Sequence, residues 1–165
     1  MHRLGLWVLA LAACSRTADD AAPAASPDGW LCFARDPAAP ELAQGSVSHV
    51  RQRVIDGRLE TESVFVQAGR GGASRLVFQP AGDHLEAVVR GVPATARLLA
   101  PDGSHWVLSY SDPARGLTFS ENSMIAGGVL TVTSIDPNAP GPTSAPVRFL
   151  AASCDVVVAE LAKYP

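Results

Sequence analysis

The sequence predicts an all-β domain over residues 30–165, an antiparallel β-sandwich or small β-barrel of about nine or ten strands. Three observations predict it. Apolar and polar residues alternate with period two through most of this stretch, Gly, Pro and Asp punctuate it at short intervals, and hardly any segment keeps a helical spacing.

Taken in order, Trp30 to Ala34 is a short first strand, and residues 46–67, SVSHVRQRVIDGRLETESVFVQ, are two strands joined by Asp56-Gly57. That dipeptide suits a two-residue type I′ turn, whose central residues both need positive φ. In the second arm Leu59, Thr61, Ser63 and Phe65 share one face, and Arg58, Glu60, Glu62 and Val64 the other, so one side is expected to be wet. The glycine-rich GRGGAS, residues 69–74, reads as a flexible connection to the strand SRLVFQ. HLEAVVR follows the turn Pro80 to Asp83, then ATARLLA, then HWVLSYS after Pro101-Asp102-Gly103. LTFSE and GGVLTVTSI come next, and VRFLAASCDVVVAE, residues 147–160, reads as the last strand. It follows the proline-rich loop at residues 136–146, the longest break in the domain.

Ahead of the domain, Met1, His2 and Arg3 precede an apolar run from Leu4 to Ala13, the layout of a secretory signal over residues 1–13. The run is about half of the roughly 20 residues that a spanning helix needs. Its end, Leu11-Ala12-Ala13-Cys14, resembles the lipobox of bacterial lipoproteins. The resemblance implies cleavage before Cys14, acylation of its thiol, and attachment to the membrane through two or three acyl chains, each stabilised by about 0.8 kcal/mol per buried methylene. Ser15 in place of the aspartate that retains many such proteins in the inner membrane implies the periplasmic face of the outer membrane. Residues 14–29 then form a tether. From Ser15 to Gly29 there is no large apolar residue, so a disordered coil with a reach on the order of 20 Å is expected.

The chain has three cysteines. Assigning Cys14 to lipid leaves Cys32 and Cys154, in an exported protein, as an expected disulfide that would make the first and last strands neighbours. Removal of Arg3 with the leader leaves 12 basic against 16 acidic side chains, without a Lys or Arg cluster, so nucleic acid is not an expected partner.

Residue patterns for chemistry are sparse. His49, His84 and His105 form neither HExxH nor a close pair, so no metal site is expected. Asp102, Ser104 and His105 are too close in the chain to converge as a triad and read as a turn entering a strand. GRGGAS has no following Lys-Ser or Lys-Thr and is not a phosphate cradle. Glu60 and Glu62 share a strand face, which reads as a solvated face and not as an acid/base pair. No catalytic residue and no cofactor is therefore expected.

The first functional expectation is a non-enzymatic envelope lipoprotein whose β domain binds an envelope protein or supports an assembly. The alternative is a carrier of a small hydrophobic ligand in a barrel similar to lipocalins, although Gly29 and Trp30 are adjacent where that family has Gly-x-Trp. A hydrolase assembled from separate strands ranks lower. So does an enzyme inhibitor: Trp30, Cys32 and Cys154 are similar to the terminal pattern of barrel lipoproteins that inhibit C-type lysozyme, but their inhibitory loop is not recognisable here.

Overall fold

A computed structural model describes residues 25–38, 46–67, 70–89, 91–135 and 145–165. The expected signal (residues 1–13), Cys14, the expected tether as far as residue 24 and residues 136–144 of the proline-rich loop lie outside the described residues.

Ten strands close into one antiparallel barrel, each pairing with its neighbours in the chain and the first with the last. They are β1 (Leu31–Arg35), β2 (Ser46–Ile55), β3 (Arg58–Gln67), β4 (Arg70–Ala81), β5 (His84–Val89), β6 (Val92–Leu98), β7 (His105–Asp112), β8 (Leu117–Ala126), β9 (Val129–Ile135) and β10 (Val147–Ala151). Closure removes every free sheet edge. The seam is the β1–β10 ladder, with Phe33 opposite Ala151 and Arg35 opposite Phe149.

Local chemistry sets most of this. Asp56 and Gly57 both have positive φ, 50° and 72°, and form the expected type I′ turn. Along β2 the register shifts between Val47 and His49. The extra residue, Ser48, keeps both Val47 and Val50 on the inner face. Inside the barrel, Leu59, Phe78, Leu85, Trp106, Leu108 and Tyr110 pack in one cluster, and Phe33, Leu130, Val147 and Phe149 in another.

Several sequence expectations are corrected. GRGGAS is not a connection: β4 begins at Arg70, and the small residues make room for rings on both faces. The Phe65 ring covers Gly72, where an added β-carbon would lie 2.7 Å from Cζ, and Tyr164 covers Gly71. Gly127 and Gly128 form the β8–β9 turn with φ of 54° and 76°, so β8 is longer than LTFSE and β9 starts at Val129. The end of the tether is ordered. Ser26 Oγ accepts a hydrogen bond from the Trp30 N–H at 3.0 Å, and the Gly29 N–H donates to the Ser26 carbonyl at 2.8 Å.

The largest correction concerns the C-terminus, where only Val147–Ala151 is strand and Cys154–Leu161 is a helix, α1. Three consecutive valines favour a strand locally. The helix prevails because Val157 and Leu161, four residues apart, bury together against Trp30, Cys32 and Val64 on the outside of the barrel. Asp155 in its first turn complements the helix dipole.

Cys32 and Cys154 form a disulfide with a Cα–Cα distance of 5.2 Å. The first and last strands are neighbours, as expected, but Cys154 opens the helix instead of lying in β10. The bond therefore pins α1 to the outer face of β1. In consequence the outer side of β3 is not simply wet: Val64 is 2% exposed beneath the helix.

Candidate functional site

In an up-and-down barrel successive connections alternate between two rims. One rim carries the turns at residues 56–57, 82–83 and 127–128 and the loop 99–104; the strand ends flanking residues 136–146 lie on the other. Loop 99–104 folds over the first rim and is held from inside. Gln52, 1% exposed, donates from Nε2 to the Gly103 carbonyl at 2.8 Å and accepts from Trp106 Nε1–H at 3.3 Å. A single buried amide thereby closes the floor.

Above that floor the two inner clusters do not meet completely. They leave a cavity of about 180 Å³. Its apolar wall is built from strand positions that alternation points inward, among them Val50, Leu76, Phe78, Trp106, Leu130 and Phe149. Polar groups are few: Gln52, Thr61, Ser63, Ser123, Ser134 and Glu121. Such a concave, mostly apolar space with a few placed polar groups is the usual form of a small-molecule site.

Glu121 is the unusual member. It sits in mid-strand on β8, level with Leu108 of β7 and Ser134 of β9, and faces the cavity. Burial pushes its carboxyl above the ordinary glutamate range. Among the described residues no Lys, Arg or His lines the cavity.

No protein-family model matches the chain. No solved structure matches it significantly either. The cavity must be interpreted from its own chemistry.

The residues singled out in the sequence lie elsewhere. Glu60 and Glu62 are on the outer wall, paired with Arg53 and Arg51 at 2.6 Å each. Both arginines stack on Trp30, 4.5 and 4.2 Å from its ring centroid. The two carboxylates are thus committed to a covered ion-pair layer and are not the solvated face expected. Asp102 Oδ1 accepts from the Ser104 N–H and hydroxyl at 2.9 and 2.7 Å, a turn cap outside the cavity lining.

The three histidines are separated on β2, β5 and β7. His49 Nδ1 lies 3.1 Å from Ser48 Oγ, and His105 Nε2 lies 2.9 Å from Asn122 Oδ1. His84 lies between Glu86 and Asp83, whose carboxylates raise its pKa, Glu86 most. Among the described residues no group of three His, Cys, Asp or Glu side chains is placed to hold a metal ion. Nor is any helix long and apolar enough to cross a membrane.

Gln52 and Glu121 are not singled out by any motif. A signal for Glu121 does exist. In LTFSENSMIA alternation puts it on the same face as Leu117, Phe119 and Ile125, with Ser123 as the other polar member, a charge on a mostly apolar stripe.

Proposed function

We propose that the protein is a lipid-anchored envelope protein whose barrel takes up a small, mostly apolar ligand. The observation that carries the ligand-binding half is the cavity of about 180 Å³ between two apolar clusters. It is on the order of the roughly 150 Å³ apolar cavity known to accept a benzene molecule. A filled core would have favoured the protein-binding expectation. Exposed apolar side chains such as Val77, Val88, Met124 and Leu150 are spread over β4, β5, β8 and β10.

The anchoring half rests on Leu11-Ala12-Ala13-Cys14 and its resemblance to a lipobox. The tether would then hold the barrel close to the bilayer, where apolar small molecules concentrate.

Trp106 lines the cavity, so its emission is the natural probe of occupancy. Titration of the purified chain with toluene and indole is expected to give a saturable change that Ser123→Leu, placed inside the cavity, abolishes. Absence of saturation, or unaltered binding to a folded Ser123→Leu variant, would overturn the ligand-binding reading. Cys14→Ser is expected to abolish incorporation of a clickable fatty acid and release the protein from membranes; labelling that persists would overturn the anchor.

A further inference from the structure

We propose that the barrel's ligand is a small organic cation, an amine on an aromatic or branched aliphatic body of roughly eight non-hydrogen atoms, whose ammonium group is held by Glu121. This rests on the reading of the cavity as a ligand site.

Five observations lead there. Among the described residues Glu121 is the only ionisable side chain in the lining, and no hydrogen bond or ion pair to its carboxyl is formed among them. A carboxylate facing an apolar space is costly until a cation pairs with it, so a ligand bearing one gains what an isosteric hydrocarbon cannot. Among the described residues of the lining, charge of the opposite kind is missing. Arg35 stands two residues beyond Phe33 on the inward side of β1, opposite Phe149 and with its Nη1 buried, but is not among the described residues of the lining. An anionic ligand such as a fatty acid would therefore meet Glu121 without a compensating base.

The surroundings of Glu121 suit an ammonium group. Ser123 follows on the same face of β8, and Ser134 is directly opposite on β9. Their hydroxyl oxygens are acceptors, as an ammonium with three N–H donors requires. Phe78, Trp106 and Phe149 supply aromatic faces in the same lining, which attract cations as well as apolar rings. The cavity volume of about 180 Å³ accommodates a single ring or its equivalent.

Benzylamine, ethylbenzene and benzoate are nearly equal in size and differ in charge, which makes them suitable probes by calorimetry and Trp106 emission. At about pH 7.5, where benzylamine is protonated, it is expected to bind at least about tenfold more tightly than ethylbenzene, with benzoate weakest. Glu121→Gln is expected to erase the preference for benzylamine over ethylbenzene. Lowering the pH to about 4 protonates Glu121 while benzylamine keeps its charge, so the preference should also disappear there.

If ethylbenzene binds and benzylamine is no tighter, the cation proposal is overturned and the cavity reading survives. If the preference persists in Glu121→Gln, the assignment to Glu121 is wrong. If none of the three probes binds, the cavity reading itself falls.

Discussion

Gln52 Nε2 donates a hydrogen bond to the carbonyl oxygen of Gly103, 51 residues away in the chain, at 2.8 Å inside the barrel. Because Gln52 Oε1 also accepts from the Trp106 indole, replacement by Leu would orphan a carbonyl and an N–H together. Each orphaned group costs about 1–3 kcal/mol, so Gln52→Leu is expected to lose about 2–4 kcal/mol in urea unfolding. A loss below about 0.5 kcal/mol would mean that loop 99–104 does not depend on this amide.

Tyr164 lies where a side chain at Gly71 would have to go. Gly71→Ala is therefore expected to displace the ring and cost about 1 kcal/mol. In a Tyr164→Ala background the obstacle is gone, and the same substitution should instead stabilise β4 by about 0.5–1 kcal/mol through reduced backbone entropy in the unfolded chain. Simple additivity in that double-mutant cycle would refute the contact.

The Cys32–Cys154 bond closes a sequence separation of 122 residues. Chain entropy alone predicts that Cys32→Ala with Cys154→Ala loses about 4–5 kcal/mol. Since Cys154 is the first residue of α1, amides of that helix should exchange faster with solvent than those of β3 and β4 in the double variant. Mass spectrometry of the mature protein before and after reduction should differ by two hydrogens.

Glu121 adds a pH dependence to stability. Its pKa is raised in the folded state by burial, so the folded chain holds this proton more tightly than the unfolded one. Above the ordinary glutamate range, near pH 4.5, the unfolded state gives up the proton first and stability falls as pH rises towards the folded pKa. Glu121→Gln removes that loss. The variant should melt higher than the parent at neutral pH, with the difference shrinking as the pH is taken below about 4; an equal difference at both pH values would contradict a buried carboxyl.

Much of the barrel is legible in the chain because its causes are local. Asp56-Gly57 can adopt two positive φ values whatever surrounds it, and inward residues such as Leu59 and Phe78 follow from a period of two. The failures have a common origin. GRGGAS reads as a loop because glycine lacks strand propensity, yet Phe65 and Tyr164 supply from elsewhere the cover its own side chains lack. SCDVVVAE reads as strand because valines prefer one, yet in the helix Val157 and Leu161 stand one turn apart over a single apolar patch made by Trp30, Cys32 and Val64.

By itself the sequence determined the strand alternation, most turns and the choice of Cys32 and Cys154 as partners, because each depends on neighbouring residues or on elimination among three thiols. Only the tertiary structure decided that the sheet closes upon itself, that Glu60 and Glu62 lie beneath Trp30 and its arginines, and that Gln52 and Glu121 face the interior. Whether an inward position is filled or left as a cavity depends on how side chains from strands far apart in the chain meet across the barrel, and packing of that kind has no local signature.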